Sequence, residues 1–308
     1  MPTSFEPLRP GDIIDVVAPA SRCDLVDLEQ GIIELEKWGY RPRVPKNIFS
    51  KKSRFCSNLD EVRAKHLIDA LTNDHSKAIF CVRGGYGSQR LIPYLKKLKK
   101  PKKQKMFVGF SDITYLHQYF IRQWGWRVVH GPFVCELNGG SLSSSSIQNF
   151  RKFLEHPSQE MRFRHLQPLN GLALKRKNIK GRLVGGNLSL LQTTAGTKHT
   201  FYGKNKIVFF EEVGERGYAL DRILNHMLLA DQFKGVKAIV LGSVTGGDEP
   251  DGKNFTSVAI KDFAKSVDFP VLKGLPCGHG KRNLPLPLNS LAELKLATKP
   301  ELLVFPKG

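Results

Sequence analysis

The sequence has few cysteines and no long hydrophobic run. Its five cysteines form no CxxC pair, which favours reduced thiols in a cytoplasmic protein over a disulfide framework. No apolar run reaches the roughly 18 residues that a transmembrane helix needs, so none is expected. The N-terminal stretch lacks a charged region followed by an apolar one. It therefore predicts the start of a folded domain rather than a signal peptide.

Signatures of metal and nucleotide sites are also missing. There is no HExxH motif, and the nine histidines are dispersed along the chain, so no metal site is predicted. The glycine-rich segment lacks the Gly-Lys-Ser/Thr ending of a Walker loop, and the first predicted strand is not followed by GxGxxG. We therefore expect neither a metal ion nor a cofactor.

Acidic residues are scarce relative to basic ones. The chain has 28 Asp and Glu against 48 Lys and Arg, with a formal net charge of +20. Such an excess suits nucleic acid, an anionic surface or an anionic substrate. Residues 96–105 hold seven lysines, and residues 151–180 are also strongly basic. The lysine run either contacts phosphates or forms a solvated loop, and its lack of interleaved aromatic residues favours the loop.

Short apolar runs alternate with helical patterns in the first half of the chain. The predicted strands are 13–18, 78–82, 106–110 and 127–129, and the predicted helices are 25–38, 60–71, 88–98 and 112–124. Alternation of this kind, with nearly continuous apolar strands, predicts an α/β fold in which helices cover both faces of a parallel sheet.

The second half of the chain resumes this order after a break. A helix is predicted at 147–154, and residues 151–180 show no sustained periodicity, which indicates a connecting segment. Beyond them, strands are predicted at 207–210 and 238–241, helices at 219–230 and 257–266, and short strands and turns in the proline-rich tail. We therefore predict an N-terminal domain at 1–150, a connecting segment at 151–180 and a C-terminal domain at 181–308.

Two segments of the N-terminal domain directly follow predicted strands. In Gly109-Phe110-Ser111-Asp112, the turn would lift the Ser111 hydroxyl off the sheet near a helix N-terminus, although Ser111 could instead only cap that helix. In Arg83-Gly84-Gly85-Tyr86-Gly87, three glycines permit positive φ and a close approach to a ligand, although a turn without a ligand is the alternative. Both segments lie where open parallel sheets bind ligands.

Two segments of the C-terminal domain have a similar position. Glu211, Glu212 and Glu215 follow a strand; one of them could orient a histidine, or all could be solvated loop carboxylates. His279 lies between two glycines, and histidine ordinarily titrates near neutrality, as a general base requires. A surface or packed histidine is the alternative, and nearby Cys277 leaves a Cys/His pair open.

Taken together and in this order, these segments resemble the LD-carboxypeptidases, a family of serine peptidases that also includes microcin-immunity hydrolases. The resemblance spans nearly the whole chain. The matching stretches are VRGGYGSQRL (82–91), VGFSDITYL (108–116), HGP (130–132), GRLVGGNLSLL (181–191), FFEEVGERGYALDRIL (209–224), KAIVLGSVTGG (237–247) and GLPCGHGKRNLPLPLN (274–289).

The resemblance implies a fold and a catalytic triad. The fold is a flavodoxin-like N-terminal domain followed by a smaller C-terminal α/β domain with β-barrel-like elements. The implied nucleophile is Ser111, the implied acid is Glu211 and the implied base is His279. The backbone N–H groups of Gly85 and Asp112 would form the oxyanion hole.

The resemblance also implies a substrate. It is the murein tetrapeptide, cut between its L-diamino acid and the terminal D-alanine during peptidoglycan recycling in the cytoplasm by a homodimer. Arg83 is a candidate for binding the terminal carboxylate, and Asn187 is a candidate cleft residue. An immunity-type hydrolase that cleaves an aminoacyl-nucleotide amide is the alternative within the family. A basic nucleic-acid-binding protein is the alternative outside it, but nucleic acid and membranes are not the expected partners.

Overall fold

The computed structural model describes residues 4–307 and divides the chain into two compact units. The first unit runs to Ser158 and includes the later segment Leu284–Leu286, whereas the second covers Gln159–Asn283 and resumes at Pro287. The first unit therefore extends beyond the predicted domain end at 150. It also includes three residues, Leu284–Leu286, from the part of the chain that was predicted as the C-terminal domain. Residues 1–3 and Gly308, which belong to the predicted domains, lie outside the described residues.

The first unit is built on a parallel sheet. Its strands, in order across the sheet, are Leu286–Leu288, Val128–His130, Met106–Gly109, Ser76–Cys81, Ile13–Val17 and Arg41–Arg43. The pairs from the second of these strands to the last are parallel. Numbered along the chain, those strands have the flavodoxin-like order 2-1-3-4-5 when read from the opposite edge. The α/β class and the flavodoxin-like order are confirmed.

Helices occur in the first unit where the helical patterns predicted them. They are Leu25–Lys37, Asp60–Thr72, Ile92–Leu95, Thr114–Tyr119 and Ser144–Glu155. Two predicted helices are divided: a 3₁₀ turn at Ser88–Leu91 precedes one, and the helix predicted at 112–124 consists of 3₁₀, α and π segments. The strands between the helices are buried because helices pack on both faces of the sheet.

The second unit contains an eight-stranded mixed sheet. Its order is Met161–Phe163, Glu301–Phe305, Leu291–Leu296, Lys177–Asn187, Ile207–Val213, Ala238–Thr245, Val271–Lys273 and Gln167–Pro168. The first half of the long strand Lys177–Asn187 pairs antiparallel with Leu291–Leu296. Its second half pairs parallel with Ile207–Val213. The antiparallel part curls into a half-barrel, as the expected β-barrel-like elements require.

The segment 151–180 is more ordered than its composition indicates. It contains the end of the helix Ser144–Glu155, both edge strands of the second sheet, a 3₁₀ turn at Gly171–Leu174 and the start of the long strand. The edge strands have only two or three residues, which is too few for a periodic pattern. The boundary between the units falls inside this segment, at 158–159.

Helices Leu188–Gln192, Gly217–Leu229 and Thr256–Ser266 belong to the second unit. Leu220, Leu224 and Met227 recur at helical spacing and are buried in a core with Phe233 and Phe263. This apolar stripe is the reason the helix packs on the parallel part of the sheet. Among residues 4–307, no helix combines the length and hydrophobicity of a membrane span.

Candidate functional site

Ser111 lies on a sharp turn between a buried strand and a helical segment of the first unit. The strand Met106–Gly109 ends two residues before it, and the 3₁₀ turn Ser111–Ile113 begins at Ser111 itself. Its φ is 55°, in the left-handed region that a β-carbon disfavours. Phe110 occupies the N-cap position, so Ser111 is not the helix cap. A strained serine on a strand-to-helix turn is typical of nucleophiles.

The glycine loop packs directly on this serine. A β-carbon on Gly84 would lie 2.8 Å from Ser111 Cβ and 3.0 Å from Ser111 Oγ, closer than normal van der Waals contact. Gly85 has a φ of 93°, and a β-carbon there would lie 2.5 Å from Ser21 Oγ. Glycine is therefore required at both positions, because the loop approaches Ser111 and Ser21 too closely for a side chain.

Asp112 joins the glycine loop to the turn that carries Ser111. Its carboxylate accepts a hydrogen bond from the Ser88 backbone N–H at 2.8 Å, and its carbonyl accepts one from the Ser88 hydroxyl at 2.6 Å. Burial raises the pKa of Asp112, although the hydrogen bonds from Ser88 and the Gly87 backbone oppose that shift. The two loops that would supply oxyanion-hole donors are thus held together by side-chain hydrogen bonds within one unit.

In the second unit, the structure brings Glu211 and His279 together. Glu211 Oε2 lies 2.6 Å from His279 Nδ1. The Glu211 side chain is fully buried, whereas His279 is 19% exposed. The strand Ile207–Val213 continues through Glu211, so this residue is not a solvated loop carboxylate. With Nδ1 donating to the carboxylate, Nε2 is the ring nitrogen that carries the basic lone pair.

The turn that carries His279 is closely fitted around the carboxylate. Gly278 has a φ of 113°, and a β-carbon there would lie 2.5 Å from Ser243 Oγ and 2.7 Å from Glu211 Cβ. The Gly278 N–H donates to Asn283 Oδ1 at 3.0 Å. Cys277 is fully buried, and the imidazole contacts the glutamate, so the arrangement is a Glu–His pair rather than a Cys–His pair.

Glu212, the neighbouring carboxylate, binds groups of the protein rather than the histidine. It accepts hydrogen bonds from Asn187 Nδ2 at 3.1 Å and from both the backbone N–H and the hydroxyl of Ser189 at 2.7 Å. Burial raises its pKa, and the hydrogen bonds from Ser189 oppose the shift. Asn187 also caps a helix by accepting from the Leu190 N–H at 3.1 Å, and it is buried. Asn187, expected in the cleft, thus orders the strand end that bears Glu212.

Arg83, the expected carboxylate-binding residue, is exposed beside the glycine loop. One of its terminal nitrogens, Nη1, donates to the Arg22 carbonyl at 3.0 Å. The guanidinium has four further N–H groups, so it can still bind an anion. Its proposed contact with a substrate carboxylate stays a prediction.

The lysine run is an exposed loop with one exception. Lys96, Lys97, Lys99, Lys100, Lys102 and Lys103 are exposed, whereas Lys105 is buried at the start of a strand. The Lys105 ammonium donates to Ser76 Oγ at 2.7 Å and lies 3.9 Å from Asp15 Oδ2. Burial lowers the pKa of Lys105 to about 8. Because Lys105 is buried and its ammonium is already bound by protein groups, it stabilises the fold and is not placed to bind a phosphate.

Comparison with known proteins gives this arrangement a family. A model of the LD-carboxypeptidase N-terminal domain matches residues 14–131, and a model of the LD-carboxypeptidase C-terminal domain matches residues 180–294. The chain belongs to the LD-carboxypeptidase family. The family models and the names of relatives make it a serine peptidase by class.

Two curated relatives align with nearly the whole chain. A Rickettsia conorii protein named as a candidate carboxypeptidase is 36% identical over 91% of this chain and 87% of its own. The murein tetrapeptide carboxypeptidase of Pseudomonas aeruginosa is 29% identical over 96% of this chain and 97% of its own.

Solved structures of LD-carboxypeptidase relatives have the same fold. The muramoyltetrapeptide carboxypeptidase of Oxalobacter formigenes has a TM-score of 0.81 and 28% identity, covering 95% of this chain and 98% of its own. The protein MccF, solved in complex with glutamyl sulfamoyl guanosine, has a TM-score of 0.83 at 20% identity, covering 98% of each chain. At that identity, the likeness to MccF concerns the fold alone.

Sequence reasoning missed three serines that contact the candidate site residues or their neighbours. Ser21 contacts the glycine loop, Ser88 binds Asp112, and Ser243 contacts Gly278 and donates its N–H to the Cys277 carbonyl at 2.9 Å. The only sequence signal for these contacts was the glycines Gly85 and Gly278, which indicate a close neighbour but do not identify it.

Proposed function

We propose that this protein is a serine LD-carboxypeptidase whose triad is Ser111, Glu211 and His279. The observation that carries the proposal is the 2.6 Å contact between a fully buried Glu211 and the partly exposed His279. A buried carboxylate that holds a histidine is the acid–base half of a triad. The strained Ser111 packs against Gly84 of the glycine loop in the same first unit, and it supplies the nucleophilic half.

Each group in this proposal has one chemical task. His279 Nε2 accepts the Ser111 proton as Oγ attacks the carbonyl carbon of the scissile amide, and it returns that proton to the leaving amine. Glu211 fixes the imidazole and stabilises its cation. The N–H groups of Gly85 and Asp112 bind the oxyanion, where each donor contributes about 3–4 kcal/mol. Water then hydrolyses the acyl-enzyme by the same steps.

The proposed substrate is the murein tetrapeptide, cleaved between its L-diamino acid and the terminal D-alanine. Relatives named murein tetrapeptide carboxypeptidase and muramoyltetrapeptide carboxypeptidase support this choice. Arg83 would bind the terminal carboxylate, and the excess of basic residues suits a peptide that carries several carboxylates. We further propose that the protein acts as a cytoplasmic homodimer in peptidoglycan recycling, without a metal ion or a cofactor.

Mass spectrometry of the products tests the proposed function. The wild-type protein should release one D-alanine from the murein tetrapeptide. Ser111→Ala should lower kcat by about 10⁵-fold or more, and Glu211→Gln by about 10³–10⁴-fold. The matched control is Ser141→Ala, because Ser141 is an exposed loop serine and its variant should retain wild-type activity.

Two results would contradict this function. One is cleavage of an aminoacyl-sulfamoyl nucleotide with no release of D-alanine, which would assign the immunity-type activity instead. The other is D-alanine release that persists in Ser111→Ala, which would remove Ser111 from the chemistry.

A further inference from the structure

Two aromatic rings are exposed beside the glycine loop. Phe55 is 74% exposed and Tyr86 is 43% exposed. Their ring centroids lie 6.3 Å apart at an interplanar angle of 84°, an edge-to-face pair. Single exposed aromatic rings are common, but two paired rings next to a candidate nucleophile form a preorganised apolar surface. We name Phe55 and Tyr86 the aromatic pair.

Backbone hydrogen bonds through one serine hold the aromatic pair in place. The Ser21 hydroxyl donates to the Phe55 carbonyl at 3.0 Å and accepts from the Tyr86 N–H at 3.1 Å. Arg22 Nη2 also donates to the Ser53 carbonyl at 2.6 Å, which fixes the loop that bears Phe55. The backbone that carries the exposed rings is therefore constrained. Because it is already ordered, binding a ligand to the rings costs little conformational entropy.

The segment that follows Tyr86 has a further support. Arg90 pairs with Asp60 at 2.7 Å, and Asp60 raises the pKa of Arg90 above its usual range. Asp60 also pairs with the buried Arg63 at 2.6 Å. These ion pairs hold the 3₁₀ turn Ser88–Leu91, which begins two residues after Tyr86.

The aromatic pair adjoins the loop that packs on Ser111. Ser21 follows the strand Ile13–Val17, and the glycine loop follows the neighbouring strand Ser76–Cys81. The strand order reverses between these two strands, and ligands of open α/β sheets bind at such a point. The Ser21 N–H donates to the Gly84 carbonyl at 3.0 Å, and Gly84 touches Ser111. A substrate attached at Ser111 can therefore extend along the glycine loop to the rings.

The charges around the aromatic pair favour an anionic ligand. Lys51, Lys52 and Arg54 lie on the loop before Phe55 and are exposed. Within residues 4–307, none of these three side chains forms an ion pair. Murein peptides carry carboxylates, so this loop attracts the substrate class of the proposed function.

We propose that Phe55 and Tyr86 form a subsite that binds the saccharide ring attached to the amino-terminal end of the tetrapeptide. The inference rests on the proposed function. The leaving group is a single alanine, whose methyl group and carboxylate are too small to cover two aromatic rings. The aromatic pair therefore contacts the part of the substrate on the other side of the scissile bond, which becomes the acyl group on Ser111. Murein peptides contain no aromatic side chain. The sugar is the part of the substrate whose C–H face packs on an aromatic ring.

Kinetics on three substrates test the subsite: the free tetrapeptide, the N-acetylmuramoyl tetrapeptide and its uridine-diphosphate-linked form. Phe55→Ala and Tyr86→Ala should each lower kcat/KM about tenfold on both sugar-bearing substrates and less than about twofold on the free peptide. Tyr86→Phe keeps the ring and should retain at least half of the wild-type value. A loss on the nucleotide-linked form alone would place the nucleotide, not the sugar, on the rings and overturn the proposal.

The control is Leu229→Ala, since Leu229 is an 88% exposed apolar residue of the second unit and its variant should match wild type on all three substrates. Equal losses on all three substrates, or no loss on any, would also overturn the subsite.

A binding measurement separates failure of the subsite from failure of the proposed function. In the Ser111→Ala background, calorimetry with the N-acetylmuramoyl tetrapeptide should show a Kd at least about fivefold weaker when Phe55→Ala is added. The Kd for the free tetrapeptide should not change. If wild type releases no D-alanine but this difference appears, the function fails and the subsite stands. If D-alanine is released and the difference is absent, the subsite fails alone.

Discussion

At the scale of single residues, the clearest sign of function is backbone strain at Ser111. Its φ of 55° costs free energy in a residue with a β-carbon, about 1–2 kcal/mol. A glycine would relieve that cost, but it would also remove the hydroxyl. Backbone strain of this kind is concentrated at active sites, so it supports the proposed role of Ser111.

The strain at Ser111 can be measured with two inactive variants. Ser111→Gly and Ser111→Ala both lack the hydroxyl, but only glycine adopts positive φ freely. After the greater entropy of unfolded glycine is subtracted, the Gly variant should be more stable than the Ala variant by about 0.5–1 kcal/mol. Chemical denaturation with a common m-value checks this. A Gly variant that is less stable than the Ala variant by about 0.5–1 kcal/mol would show that the turn is not strained.

At the scale of elements, the glycine loop after Ser76–Cys81 connects Ser111 to its surroundings. Gly84 packs on Ser111, Gly85 packs on Ser21, and Ser88 binds Asp112. The loop and the turn that carries Ser111 follow neighbouring parallel strands, so their backbones meet at one edge of the sheet. Any side chain added at Gly84 must therefore displace the serine or the loop.

Gly84→Ala tests this contact. The new β-carbon would lie 2.8 Å from Ser111 Cβ and 3.0 Å from Phe133 Cζ. We expect destabilisation of about 1–3 kcal/mol and a fall in kcat of about 10–100-fold. Gly171→Ala is the matched control, because no atom lies within 4 Å of a β-carbon added there. Stability and kcat that both match wild type in Gly84→Ala would disprove the contact.

At the scale of the whole molecule, the net charge of +20 is the most prominent property and the least specific one. Six lysines of the run at 96–103 are exposed on one loop, and the seventh, Lys105, is buried. Exposed charges act over a Debye length of about 8 Å at physiological ionic strength. The loop therefore affects solubility and general attraction of anions more than it affects the chemistry.

Neutralising that loop should separate these effects. Replacing the six exposed lysines by glutamine should leave kcat/KM on the murein tetrapeptide within about twofold at 0.15 M salt, because screening limits steering by surface charge. The same variant should bind a random oligonucleotide more weakly, with a shallower dependence on salt. A tenfold loss of kcat/KM would instead assign the lysine loop a direct part in substrate binding.

The patterns of apolar residues predicted most of the first unit because they are local. Alternating buried strands and amphipathic helices between 13 and 130 appear in the structure within a few residues of their predicted bounds. The edge strands inside 151–180 escaped prediction because two or three residues cannot display a period. The helix predicted at 112–124 begins instead as a 3₁₀ turn at Ser111, whose φ is 55°, and it continues as α and π segments.

The sequence by itself determined the fold class and the family, and it placed each candidate catalytic residue at or just beyond the end of a strand, because that placement depends on neighbours in the chain. Only the tertiary structure decided which glutamate contacts His279. Glu211 and Glu212 are adjacent in a strand and point to opposite faces, so one meets the histidine and the other meets Asn187 and Ser189. That choice depends on residues more than 20 positions away, which no local pattern encodes.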